Sequence, residues 1–320
     1  MLSIILLNYN NTFHTKNCLI SLQKQTYKNF EIILVDNNSK QIFREELQNF
    51  LKTSQLNGNF LRKIRFIKSN KRLKIKGEKN LGFTGGTNLG LKKSKGDLIL
   101  LLNNDTFQDS DFLESMVELF DKYKDLHIAQ PKICFYPEKD IIWANGGKIN
   151  KFSINIFKNI DNQKKDDNSR ENLFKIDYAT GCALFIRREI LRDIGVFDNI
   201  YFMYCEESDL CYRAFLKGYK NVYCNPKTTI YHNRKPGFSI SFKKFYFRNR
   251  TIFCFKHFHI LIIIWQFLLQ FAQLLIYSIN FKTGEVDSEF IFNSIKGIIE
   301  GASLGIKRRI EMKNKKNNMN

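Results

Sequence analysis

The apolar run LILLL (98–102) stops at Asn103, Asn104 and Asp105, which puts an amide and a carboxylate two residues apart. In an extended chain two such side chains point the same way. Hard oxygen ligands of this kind suit Mg2+ or Mn2+, ions that keep several waters and substrate phosphates as their other ligands. Alone, the triplet reads as a turn, since Asn and Asp are common turn residues. Glu206, Glu207 and Asp209 fall within four residues in YCEESDLCYRA (204–214). Their mutual repulsion raises at least one pKa, as a general base requires, although the same acids also suit the first turn of a helix. Asp36, in VDNNS, offers acceptors to the N–H and O–H groups of a nucleobase or ribose, while Asn38 or Ser39 is placed to cap the next helix. His232, in IYHNRKPG, follows a short strand. A lone histidine is commonly structural, but a cation bound by one carboxylate and phosphates has room for an imidazole.

The stretch NLGFTGGTNLG (80–90) is dense in glycine, with Gly82, Gly85, Gly86 and Gly90 ahead of a basic helix. Backbone N–H groups there have access to a diphosphate. The stretch fits neither G-x-G-x-x-G after a first strand nor the P-loop with its closing G-K-[ST], which argues against a dehydrogenase or an ordinary kinase.

The elements that must position these residues follow from the apolar pattern. SIILL (3–7), EIILVDNNS (31–39) and DLILLLNNDT (97–106) are short apolar runs that end in polar residues. Helix-like segments separate them at 17–25, 43–52 and 87–96. Strands without alternation, joined by helices, predict a parallel sheet covered on both faces. Ligands of such sheets sit at the carboxyl ends of the strands, so Asn8, Asp36, Asn103 and Asp105 are expected to converge. In the second half, 178–195 reads as a strand followed by a helix, and 208–220 as a helix ended by Gly218. The polar stretch 159–172 is expected to be a mobile surface loop near a binding site.

Composition bounds the partners. The 320 residues are 43% hydrophobic, enough for a globular protein of one or two domains, and 51 Lys and Arg against 31 Asp and Glu leave +20. That charge calls for nucleic acid, a phosphorylated small molecule or an acidic membrane face, although a biased use of Lys, Asn, Ile and Phe accounts for part of it. Seven scattered cysteines without a C-x-x-C pair read as reduced thiols of a cytosolic protein. The start, MLSIILLNYN, lacks the flanks of a signal peptide, so structure is expected from the first residues.

The C-terminal part changes character. Lys227 to Lys256 holds eight Lys or Arg and no acid, interleaved with Phe and Tyr. HILIIIWQFLLQFAQLLIYSINF (259–281) is long enough to cross a bilayer, yet His259, Gln266, Gln270, Gln273, Tyr277 and Asn280 share one helical face. That spacing predicts an amphipathic helix on a membrane surface or against the protein, with the basic tail Lys307 to Lys316 adding attraction to an anionic membrane.

Taken in order, IILLNYN, ILVDNNS, NLGFTGGTNLG, ILLLNNDT, TGCALFIRREILRDIGVFD, YFMYCEESDLCYRAFLKGY and IYH resemble the inverting family 2 glycosyltransferases. The resemblance is closest to the rhamnosyltransferase-like branch that builds bacterial cell-surface polysaccharides, and it covers about residues 1–257. It implies an α/β fold of GT-A type, a nucleotide-binding sheet covered by helices, to which the amphipathic and basic pattern beyond it adds a C-terminal helical membrane-associating extension. It also implies a donor-binding half at 1–106 and an acceptor and catalytic-base half at 107–257, which leaves the extension at 258–320. The implied donor is a nucleoside-diphosphate sugar, bound by Asn8, Asn10, Asp36, Asn38, Gly85, Gly86, Asn103, Asn104 and Asp105. The implied cofactor is Mn2+ or Mg2+, held by Asp105 with His232 and with Asn103 in place of the family's first aspartate. The implied base is Glu207, with Glu206 second. The implied acceptor is a glycan or a polyprenyl-diphosphate-linked oligosaccharide, which sets the expected location in the cytoplasm, peripheral to the inner face of the plasma membrane. Three rival readings are an inactive nucleotide-sugar-binding scaffold, a nucleotidyltransferase, and a nucleic-acid-binding protein. Carboxylates at several strand ends disfavour the last, because they repel phosphates unless a metal intervenes.

Overall fold

A computed structural model describes residues 1–53, 55–69, 80–233, 240–282 and 288–317, and the side chains of all of these except 240–243, 277–282, 315 and 316. The chain begins β1 (Leu2–Asn8), α1 (Thr12–Gln23), β2 (Phe30–Asp36), α2 (Gln41–Phe50), α3 (Gly58–Leu61), β3 (Ile64–Lys68), α4 (Gly82–Lys93) and β4 (Leu98–Asn103). It continues β5 (Thr106–Gln108), α5 (Phe112–Lys122), β6 (Ile128–Phe135), β7 (Ile142–Ala144), β8 (Gly147–Ile149), β9 (Phe157–Asn159), β10 (Phe174–Lys175), β11 (Ala183–Arg187), α6 (Arg188–Ile194) and α7 (Glu206–Leu216). Last come β12 (Val222–His232), α8 (Ile240–His257), α9 (Ile260–Lys282) and α10 (Ser288–Asn317).

The main sheet runs β10-β12-β6-β11-β4-β1-β2-β3, with β5 beside β12 and β7 beside β6. β3, β2, β1 and β4 are parallel, as their unalternating apolar runs require. β11 then joins β4 antiparallel, so the whole sheet is mixed rather than parallel throughout. Both faces of the parallel part are covered. Ile4 and Leu6 of β1, with Ile32 and Leu34 of β2, pack with Cys18, Leu19 and Leu22 of α1. The residue between them, Ile5, points to the other face, where a Cβ on Gly90 of α4 would come within 2.5 Å of its Cγ2. Period-two alternation thus places apolar side chains on two covers, and each fully buried Leu or Ile contributes roughly 2 kcal/mol.

α4 begins at Gly82, not after the glycine-rich stretch, so Gly85, Gly86 and Gly90 lie inside the helix. The 178–195 segment forms β11 and α6, and Gly218, at φ +98°, follows α7. The polar stretch after β9 is closed on itself by Asp161, which accepts from Lys164 at 2.9 Å and Arg170 at 2.7 Å.

The chain forms two compact units. The first comprises 1–148, 159–202 and 210–235, and the second comprises 149–158, 203–209 and 236–320. In the second, α10 lies against α8 through Gly297, Gly301 and Gly305, one residue per helical turn. A Cβ on Gly297 would stand 2.5 Å from the Lys244 carbonyl oxygen, and one on Gly305 would stand 2.7 Å from Phe255 Cβ. α9 buries Gln266, Gln270 and Gln273, while His259 is exposed; the side chains of Tyr277 and Asn280 lie outside the described residues. Among the described residues no helix is long and apolar enough to cross a membrane. All seven cysteines are buried free thiols.

Candidate active site

Register brings two of the expected residues level and a third to within one residue of them. Asn8 stands opposite Asp36 across β1 and β2, and Leu7 opposite Asn103 across β1 and β4. Asn8 is fully buried, donates from Nδ2 to Asp36 Oδ1 (3.1 Å) and Ser39 Oγ (3.2 Å), and accepts from Thr15 Oγ1 (2.9 Å). Its amide therefore braces Asp36. The other oxygen of Asp36 accepts from Arg44 Nε at 3.0 Å, so this buried carboxylate carries a cation beside it. Asn10, at φ +52°, donates its N–H to Ser39 Oγ and accepts from Lys40 N–H, and Asn38, at φ +64°, is half-buried next to them. Asn37 ties the start of α4 to the end of β2, donating to Asn80 Oδ1 and the Gly82 carbonyl. Gly86 packs where a Cβ would run into Leu7 Cδ1, so its missing side chain sets the distance between α4 and β1.

β4 ends at Asn103, and Asn104 and Asp105 make the two-residue turn into β5. The turn and ligand readings of the triplet are thus compatible, but strand alternation does not aim Asp105. β5 does so: it pairs antiparallel with β12, Thr106 opposite His232, which sets His232 Nε2 3.1 Å from Asp105 Oδ1. Asn104 turns to Thr15 Oγ1 (2.7 Å), while Asn103 is half-buried and anchors the turn by its carbonyl, which accepts from Thr106 Oγ1. Burial pushes the Asp105 carboxyl up, but the imidazole of His232 and the charge of His14 outweigh it and hold it below the ordinary carboxylate range. Asp105 Oδ1 and His232 Nδ1 are buried and make no well-directed hydrogen bond among the described residues. A carboxylate oxygen and an imidazole nitrogen this close fit two adjacent positions on Mn2+ or Mg2+. No group of three or more His, Cys, Asp or Glu is placed to hold a metal ion among the described residues, so water and phosphate oxygens would have to complete the shell.

The acidic turn at the start of α7 belongs to the second unit. Tyr204 and Cys205 precede it with φ of +70° and +67°, a left-handed backbone that costs non-glycine residues of order 1–3 kcal/mol each. Buried Asn249 holds this backbone, donating to the carbonyls of Met203 (2.6 Å) and Tyr204 (2.8 Å). Glu206 is buried and Glu207 half-buried, and Oε2 of each makes no hydrogen bond among the described residues. Burial first, then the charges of Glu207 and Asp209, raise Glu206 well above the ordinary range. Burial pushes Glu207 up to about 7. Asp209 is compensated: its Oδ1 meets Lys256 Nζ at 2.6 Å and His257 Nε2 at 2.7 Å, all three side chains being buried.

The family model for Glycosyl transferase family 2 matches residues 3–195, which hold the whole donor-side constellation of strand ends. The chain belongs to glycosyl transferase family 2. It is 26% identical, over 261 residues, to the low-salt glycan biosynthesis hexosyltransferase Agl10 of Haloferax volcanii, covering 78% of this chain and 74% of that one. The rhamnosyltransferase WbbL of Escherichia coli K12 is 21% identical over 258 residues, 76% of this chain and 89% of the relative. Among solved structures, GalNAc-T7 with UDP, GalNAc and Mn2+ is similar with a TM-score of 0.58 at 16% identity, over 80% of this chain. This family 2 chain spans half the length of GalNAc-T7, and the likeness shows the fold, of GT-A type.

Several partners of the candidate residues were not foreseen from sequence. Arg44 pairs with Asp36 from eight positions away. Trp143 stands edge-on to His232 with ring centroids 4.8 Å apart, and His14 Nδ1 lies 3.3 Å from Asn233 Nδ2. Lys256 and His257 reach Asp209 from nearly fifty residues downstream, a pairing that no local spacing signals.

Proposed function

We propose that this glycosyltransferase moves a hexosyl or rhamnosyl group, with inversion, from a nucleoside-diphosphate sugar to a hydroxyl of a glycan or of a polyprenyl-diphosphate-linked oligosaccharide at a membrane surface. The observation that carries the reading is the Asp105–His232 pair at the carboxyl end of β4, Oδ1 and Nε2 3.1 Å apart, with both Asp105 Oδ1 and the second ring nitrogen, His232 Nδ1, buried. Residues 1–106 would form the donor-binding half, 107–257 the acceptor-binding half and 258–320 the extension. Asp105 and His232, with the Asn103 amide, would hold a divalent cation. When bound, such an ion neutralises charge developing on a leaving diphosphate. Asp36, fixed by Asn8 and Arg44, would meet the nucleoside, with Asn10 and Asn38 at the rim. Glu207, or Glu206 after it, would accept the proton of the acceptor hydroxyl as that oxygen bonds to the anomeric carbon. The bond from that carbon to the diphosphate oxygen breaks on the opposite side, and its electrons leave with the nucleoside diphosphate. One base suffices, and no covalent enzyme intermediate forms.

Calorimetry with UDP, dTDP and GDP, each in Mn2+, Mg2+ or EDTA, tests the donor site. Metal-dependent binding of one nucleotide, lost in Asp105→Ala, is the expected result. Absence of binding by all three under every condition overturns the reading.

A further inference from the structure

Arg250 on α8 is fully buried, and a guanidinium taken out of water needs oxygen acceptors around it. α9 provides them. Gln266 Oε1 accepts from Arg250 Nη2 at 2.8 Å, and Gln273 Oε1 accepts from Nη1 at 3.1 Å. Thr251 Oγ1 donates to Gln270 Oε1 at 3.1 Å, and Gln266 Nε2 donates to the Lys151 and Ser153 carbonyls. The polar stripe of α9 is therefore committed inward, and the apolar stripe has to face out. Leu261 is 68% exposed and Phe271 62%, with Ile264, Leu268 and Leu275 exposed between and after them. At 100° per residue these five occupy roughly an 80° arc, opposite the glutamines. An ordinary surface helix has the reverse arrangement.

α10 repeats the inversion. Ser294, Gly297, Gly301 and Gly305 are buried, while Phe292, Ile295, Ile299, Ile306 and Ile310 are exposed within roughly a 60° arc on the far side. Two consecutive helices of one unit thus show solvent a quantity of apolar side chain that soluble monomers rarely expose. The charge around it selects the cover. Lys296, Lys307 and Lys313 are exposed on α10, and Pro236 to Asn320 holds thirteen Lys or Arg against five Asp or Glu. A second copy of this face would bring like charges together, whereas an anionic bilayer accepts apolar side chains at its acyl boundary and ammonium groups among its headgroups.

We propose that the outward apolar faces of α9 and α10 are a docking surface for an anionic lipid bilayer, on which the protein lies without crossing it. The inference deepens the reading of a membrane-borne acceptor and rests on that reading for its purpose. Its evidence is separate from the donor chemistry.

The test is flotation of the full chain with phosphatidylcholine vesicles, with and without phosphatidylglycerol, together with Trp265 emission. Binding to the anionic vesicles with a blue shift is expected, and roughly tenfold weaker binding without phosphatidylglycerol, from the loss of attraction to the lysines. The Leu268→Glu/Phe271→Glu double variant is expected to lose vesicle binding at least as strongly. Both side chains are exposed, so its melting temperature and circular dichroism should match wild type. Equal vesicle binding by the double variant overturns the proposal. So does absence of vesicle binding, whether light scattering shows one chain or a two-chain mass that the double variant abolishes; the latter assigns the face to a second copy. Nucleotide calorimetry on the same protein separates the two readings. Nucleotide binding without vesicle binding defeats only the docking surface, and the converse defeats only the donor site.

Discussion

Glu207→Gln removes the charge of Glu207 and keeps its shape. With the carboxyl pushed up to about 7, a base at this position is about nine-tenths ionised at pH 8, half at pH 7 and about one-tenth at pH 6. Wild-type kcat/KM for sugar transfer should therefore fall with a midpoint near 7 as pH is lowered, approaching tenfold per unit below it. Glutamine cannot take the proton, so the variant should be about 10²–10⁴-fold slower at pH 8, with a flat profile. Stability should move the other way. The folded carboxyl lies above its ordinary value of 4.5, so its contribution to stability is complete below pH 4.5 and is lost as pH rises through about 7. At 1.36 kcal/mol per unit, the ionised native state carries on the order of 3 kcal/mol that the glutamine variant escapes. The variant should melt above wild type at pH 8 and level with it near pH 4, with nucleotide binding unchanged. The assays are initial rates by product chromatography and thermal melts across the same buffers. An active variant, a flat wild-type profile between pH 6 and 8, or a variant that melts below wild type at pH 8 would refute the reasoning.

Asp209→Asn leaves the buried Lys256 and His257 without their anion and should cost about 3 kcal/mol, read from urea midpoints, with part recovered in Asp209→Asn/Lys256→Met. Arg44→Ala strips the cation from Asp36; because Arg44 is partly exposed, a loss of about 1–2 kcal/mol is expected, along with weaker nucleotide binding by calorimetry. Gly301→Ala drives a Cβ into the Arg248 carbonyl and within 2.9 Å of Thr251 Cβ, and should lower stability by roughly 1–3 kcal/mol. Gly58→Ala, whose Cβ meets nothing within 4 Å, serves as the control in the same melts and should change little.

The strand ends were legible because their signal is local. An apolar run that stops at Asn8, Asp36 or Asn103 declares both a buried strand and its carboxyl end, and parallel pairing aligns those ends. The aim of Asp105 was not legible in the same way. It depends on β5 pairing with β12, which requires knowing that residues 106 and 232 are neighbours. The glycine stretch at 80–90 misled for a related reason. Glycine marks either a loop or a close approach, and Gly86 and Gly90 serve the second purpose within α4. The polar face of 259–281 was visible from its spacing, but its direction was not. That was decided by Arg250, a buried cation on another helix. The repulsion expected among Glu206, Glu207 and Asp209 was half the account, since burial leads the shifts and Asp209 has its own cations.

The seven buried thiols turn the protein into its own stopwatch. A thiol reagent reaches such a sulfur only when the surrounding structure opens, and the thiols of Cys18 and Cys254 are each pushed up to about 12, which slows attack further. Cys18, Cys134, Cys182, Cys211 and Cys224 time the first unit, and Cys205 and Cys254 the second. Mass spectrometry of timed labelling would therefore give separate opening rates for the two units without any engineered probe. Cys205, next to Glu206 in the left-handed turn, would clock the acidic turn itself.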